Sequence, residues 1–251
     1  MHILDLFPII FVPVGFAFCF FLDSLTLWAR VGGFILSKNA SGSYFTQIIL
    51  LGSRFAVVIL FPAAALLVDR GSSTEFMYKV FSYGAITGSV VLIILYTLRF
   101  KIVRLFTKLI TIFLAGNDKL SSTGDTNSSE KIETFLKNSK AAPNNSFLYS
   151  YLIIAAIAVT MINGLGLSIP MILSTTSDSY QTTISHLGPI INVFATLINI
   201  AYIEAKLIRA LEKNDSSTAM NISEVLIISR AFSLMLLGAI YSILASGGNV
   251  V

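Results

Sequence analysis

Apolar residues along this chain fall into six long runs separated by short polar stretches: Leu6–Trp28, then residues 46–68, 77–98, 147–173, 186–203 and 224–246. At 1.5 Å rise per residue, about 20 such residues cross the hydrocarbon core of a bilayer. The pattern therefore predicts six transmembrane helices and an all-α polytopic membrane protein. Only His2 and Asp5 carry polar chemistry ahead of the first run, with no Lys or Arg. A secretory signal would have a basic leader, so this run reads as a retained span.

Composition supports the pattern and excludes a soluble enzyme. Of the 251 residues 55% are hydrophobic and 12% charged, where a globular protein has roughly 25% charged. The mean hydropathy of +0.82 is more than a water-soluble interior of this size can hide. The lone cysteine, Cys19, lies inside an apolar run and allows neither an intramolecular disulfide nor a zinc-thiolate cluster. A net charge of +4 fits nucleic acid or an anionic membrane surface, and position decides between them. Thirteen of the 17 Lys and Arg lie in three loops on one side: Arg30 and Lys38; Arg99, Lys101, Arg104, Lys108, Lys119, Lys131, Lys137 and Lys140; Lys206, Arg209 and Lys213. The other side has Arg70 and Lys79, while Arg54 and Arg230 fall inside spans. The positive-inside rule then places these loops in the cytoplasm and both termini outside. The basic balance is topology, and no nucleic-acid partner is expected.

The third span continues into a segment where Lys101, Arg104 and Lys108 take one face and Ile102, Leu105, Leu109 and Ile112 another. Such an amphipathic helix suits the cytoplasmic interface and its anionic lipids, or serves as a cap that only fixes orientation. Residues 116–146, rich in Ser, Thr, Asn and Gly, read as a flexible linker between two three-span halves, 1–115 and 147–251, of one membrane domain. Shifting the chain by 176 residues sets Ser53-Arg54 on Ser229-Arg230, Leu50 on Leu226, Asp23 on Asn199 and Arg30 on Lys206. Hairpins 1–2 and 5–6 are thus expected to be pseudo-symmetric, in the manner of parallel transporter repeats.

Ionisable groups inside spans cost a few kcal/mol on insertion scales and mark pathways or paired contacts. Asp23 and Arg30 share a face of span one, Arg54 sits well inside span two, and Arg230 is its repeat mate in span six. One reading makes them structural ion pairs or snorkelling arginines. The other makes the arginines an anion site, since a guanidinium matches phosphate oxygens bidentately and keeps its charge. Span five places Asn192, Thr196 and Asn199 on one stripe with Glu204 near its end, either lining a sugar-binding cavity or joining helices. In span four, Asn163 opens the stretch NGLGLSIP ending at Pro170, which either breaks the helix as a hinge or leaves a packed proline kink. Gly84 and Gly88 form a small-residue packing face. His2 and His186 are isolated, and HExxH, Walker and Gly-x-Ser-x-Gly motifs are absent. A transporter is expected rather than an enzyme, with no metal or cofactor.

The stretch Asp23-Ser-Leu-Thr-Leu-Trp-Ala-Arg30-Val-Gly-Gly33, Ser53-Arg54 with Pro62, and Ser229-Arg230 resemble the signatures of the alternate lipid II flippase (Amj-type) family. The matching motifs cover about a quarter of the chain. Two features depart from the pattern: an acidic residue followed by Pro near the end of span five is replaced here by Asn199-Ile-Ala-Tyr-Ile-Glu204, and the basic cluster after Arg30 is reduced to Lys38. The resemblance implies a multi-pass protein of the bacterial inner membrane that moves an undecaprenyl-pyrophosphate-linked glycan, lipid II or a relative, to the outer leaflet. Arg30, Arg54 and Arg230 would then meet the pyrophosphate, Asn163, Asn192, Thr196 and Asn199 the sugar, and Asp23 would hold an arginine when substrate is absent. The rival expectations are a proton- or ion-coupled small-solute transporter using Asp23 or Glu204, and a non-transporting scaffold.

Overall fold

The computed structural model describes residues 3–117, 146–176, 184, 187–212 and 216–247. All regular structure among them is helical: α1 (Ile3–Ile35), α2 (Asn39–Asp69), α3 (Thr74–Thr97), α4 (Arg99–Asn117), α5 (Ser146–Ser174), α6 (Leu187–Ile198), a π-helical segment (Asn199–Glu204), α7 (Ala205–Glu212) and α8 (Ser216–Gly247). Six stretches are long and apolar enough to cross a membrane: Phe7–Ile35, Asn39–Asp69, Thr74–Thr97, Ser150–Ser174, Ile190–Arg209 and Thr218–Gly247. The fifth joins α6, the π-helical segment and most of α7. The expected all-α, six-span architecture is present. Most of the expected linker, along with His2 and His186, lies outside the described residues.

The helix ends follow from local chemistry. α1 closes where Ser37 turns left-handed (φ 55°), letting the Lys38 N–H reach the Gly33 carbonyl at 2.8 Å and the Ser37 N–H that of Phe34 at 2.8 Å. α2 closes in the same way at Gly71 (φ 74°), with Ser72 N–H bonded to Leu67 O at 3.1 Å. Ser73 caps α3, its hydroxyl accepting from Phe76 N–H at 3.2 Å. α1 and α2 leave their turn almost backbone to backbone, since a Cβ on Gly33 would lie 2.5 Å from Gly42 Cα. α2 begins seven residues before the apolar run because Asn39–Phe45 continues the helix along this seam.

α1 is central, packing on α2, α3 and α4 and touching α8; Phe16 and Trp28 on it are fully buried. α3 and α8 form a second long seam of small residues. Ser82 Oγ donates to Gly238 O at 2.8 Å, Ser89 Oγ to Ala231 O at 2.8 Å, and Gly88 leaves space for Leu234. Gly84 and Gly88 thus pack closely, as expected, against α1 and α8. Ser233 Oγ donates to Ile157 O at 3.1 Å, and the Ser168 and Tyr241 hydroxyls bond to each other, joining α8 to α5.

The helix α5 is not broken at Asn163–Pro170; it runs unbroken from Ser146 to Ser174. Pro170 has no N–H to give the Gly166 carbonyl one turn back. That oxygen is instead covered by Gly188 of α6, where a Cβ would lie only 2.6 Å from it, a geometry suited to a Cα–H···O contact. α4 docks on α1 through Val103, Phe106, Thr107 and Ile110, all buried, at Gly32, whose missing side chain leaves room for Phe106. Leu105, Leu109 and Ile112, the apolar face read from the sequence, remain exposed beside Lys101, Arg104 and Lys108.

The two hairpins that align in sequence differ in packing. α1 and α2 run together along their length, whereas span five lies mainly on α5 and touches α8 chiefly through α7. Within the most apolar window 17% of span five is buried, against 56% of α8.

Candidate functional site

Three helices bring charge to one level. α1 and α2 share a tight turn, and Asp23 lies twelve residues before the end of α1, Arg54 fifteen after the start of α2 and Arg230 fourteen after the start of α8. At 1.5 Å per residue each stands about 20 Å from the end of the molecule that carries the basic loops. Asp23 has Ser53 as its hydrogen-bonding neighbour and Arg230 and Arg54 as its charged neighbours. The repeat mates therefore meet at one carboxylate, in unlike surroundings: Arg230 is 7% exposed, and Arg54 is open on α2 among the exposed Leu51, Phe55 and Val58.

Arg230 donates Nη1 to the Asp23 backbone carbonyl at 3.2 Å and to Ser24 Oγ at 3.3 Å, with Asp23 and Glu204 as its anionic neighbours. Its burial rules out snorkelling. Nearer the basic end, Arg30 Nη2 reaches both Glu204 carboxylate oxygens, at 3.1 and 3.0 Å, and among the described residues Arg30 is the one of the three arginines in a direct ion pair. The Asp23 carboxylate, expected to hold an arginine, has Arg230 and Arg54 as charged neighbours and makes no direct ion pair among the described residues. Asp23 offers Arg230 a backbone oxygen, and within the cluster the carboxylate in direct contact with an arginine is Glu204. With every group ionised, three guanidiniums face two carboxylates, leaving one positive charge in excess.

The structure brings Asp23, Arg30, Arg54, Arg230 and Glu204 together; the neutral residues are more dispersed. Thr196 Oγ1 turns back to Asn192 O at 2.9 Å. Asn192 Oδ1 is buried without a hydrogen-bond partner, pressed on α5 where a Cβ on Gly166 would lie 2.2 Å from it. Asn199 Oδ1 is likewise buried and unpartnered at the start of the π-helical segment that ends on Glu204. Such wide turns recur at functional positions. Asn163 is half-buried on α5 and makes no hydrogen bond to the charged residues among those described. Sequence reasoning passed over Ser24, fully buried, as an acceptor for Arg230. Its place beside an intramembrane Asp was the available signal.

Comparison with protein-family models, with curated proteins and with solved structures finds no match.

Proposed function

We propose that this multi-pass membrane protein is a flippase of the bacterial inner membrane that moves a polyprenyl-pyrophosphate-linked glycan, lipid II or a related precursor, to the outer leaflet. The observation that carries this reading is the convergence of Arg30, Arg54 and Arg230 from three helices on two carboxylates, with Arg54 and Arg230 at mid-membrane depth and Arg30 nearer the basic end. A pyrophosphate in a bilayer needs cations that lipid does not supply, and arginine forks match its oxygens. Arg54 is open on the apolar outer face of α2, so a headgroup can reach the cluster while its prenyl chain stays in lipid. The free acceptor of Asn199 suits a sugar hydroxyl. On the positive-inside rule the basic loops face the cytoplasm, and exposed α4 residues Lys101, Arg104 and Lys108 meet anionic lipid there. The likeness of the Asp23–Gly33, Ser53-Arg54 and Ser229-Arg230 motifs to the Amj-type family points the same way.

Complementation tests this. In a bacterium depleted of its lipid II flippase, the wild-type chain sustains growth and Arg230→Ala does not, at equal protein level; equal survival with Arg54→Ala and Arg230→Ala would refute the anion site. A second reading, a proton-coupled carrier of a small solute, is favoured by Asp23 lying mid-span beside the neutral Ser53 hydroxyl. It predicts pH-driven uptake of a soluble compound that is lost in Asp23→Asn.

A further inference from the structure

Span five is the least buried of the six. Its inner face is held by the buried Ala195, Ile203 and Leu207, and two further contacts bear on its two ends. Away from the basic end, Gly188 packs on the Gly166 carbonyl and on Phe61 of α2, whose Cζ would lie 2.9 Å from a Cβ there. Toward the basic end, the one direct polar link from the π-helical segment to the first half of the chain is Glu204 to Arg30, among the described residues. That pair is neither sealed nor free: the side chains are 14% and 28% exposed. A single nitrogen, Nη2, makes both of its bonds to the carboxylate. Glu204 also counts among the anionic neighbours of Arg230, so the carboxylate stands between two of the three arginines.

We propose that Glu204 is a built-in competitor for the anion: in the ligand-free protein its carboxylate occupies Arg30 and latches span five to α1, and an incoming phosphate-type anion takes its place and releases the span. This rests on the anion reading above and adds the group that the anion displaces. A carboxylate and a phosphate present similar oxygen pairs to a guanidinium, so one replaces the other without leaving Arg30 bare. The π-helical segment places the displaced carboxylate on a stretch with wider backbone turns than an α-helix, in the span with the smallest buried share of the six. If the latch leaves Arg30 free about one tenth of the time, removing it raises apparent affinity about tenfold.

The experiment titrates the full-length protein in detergent micelles with farnesyl pyrophosphate and, on a Cys19→Ser background, measures the distance between spin labels at Lys38→Cys and Ile208→Cys, both exposed. Glu204→Gln is expected to bind about tenfold more tightly and to lengthen the distance. Arg30→Gln is expected to lengthen it equally but to bind more weakly. Opposite signs in affinity with the same sign in distance distinguish a competitor from a strut. Unchanged or weaker binding by Glu204→Gln overturns the inference alone, provided wild type binds and Arg230→Gln does not. Absence of binding by both wild type and Glu204→Gln overturns it together with the anion reading. Saturating farnesyl pyrophosphate also lengthens the wild-type distance, and an unchanged distance overturns the latch whatever the variants do. Displacement by inorganic pyrophosphate identifies the headgroup as the competitor; displacement by farnesol alone overturns it.

Discussion

The α3–α8 seam and span five are both apolar, with mean hydropathies of 1.8 for α3 and α8 and 1.5 for span five, yet they are held in opposite ways. Along the seam, Gly88 and Gly238 bring the helices close, and the Ser82 and Ser89 hydroxyls donate to backbone carbonyls of α8. Span five instead rests on α5 at Gly166 and Gly188 and leaves two amide oxygens unpartnered. Lipid removes the hydrophobic drive between helices, so close packing and hydrogen bonds decide which pairs are firm. The charged residues span both kinds of region: Arg230 belongs to the firm α8, Glu204 to the loosely held span. A site built across that boundary is one whose geometry changes when the span moves.

The comparison is most severely tested at Gly238. A Cβ there would lie 2.7 Å from Ile86 Cγ1 and 3.3 Å from Ser82 O, so Gly238→Val is expected to cost about 3 kcal/mol, read from unfolding in mixed micelles. An unchanged midpoint would deny the seam its rigidity. Gly166→Ala forces the Asn192 amide aside and should cost about 1–2 kcal/mol. Because Asn192 Oδ1 has no partner to lose, adding Asn192→Ala should recover most of that loss, and a purely additive double variant would show that the contact is misjudged. Ser89→Ala removes one interhelical bond and is expected to cost about 0.6 kcal/mol, the usual scale in membranes. Smallest of all, Leu197→Ala on span five, 58% exposed, should stay within about 0.5 kcal/mol.

The six spans were legible because each apolar run is long enough to cross, and Arg54 and Arg230 stood out because few charges lie in such runs. Pairing was not legible. Arg30 and Glu204 are 174 residues apart, and nothing local distinguishes Glu204 from Asp23 as the partner, since the choice is made by how span five packs on α5. The docking face of α4 was not legible for a related reason. Two apolar stripes, one with Val103, Phe106 and Ile110 and one with Leu105, Leu109 and Ile112, run along the same helix, and only Gly32 on α1 selects the first. Pro170 was read as a possible break, because its compensation by Gly188 comes from a helix that follows it in the chain and packs back on it.

The central claim, that the arginine cluster carries a pyrophosphate lipid through the membrane, is tested most directly in proteoliposomes made from purified protein. The rate at which a fluorescent polyprenyl-pyrophosphate glycan appears in the opposite leaflet is compared for wild type and Arg230→Gln, both monodisperse and helical. Losing charge-assisted bonds to the pyrophosphate should slow Arg230→Gln roughly 10- to 100-fold. Equal rates, or a wild-type rate no faster than in protein-free vesicles, would contradict the account.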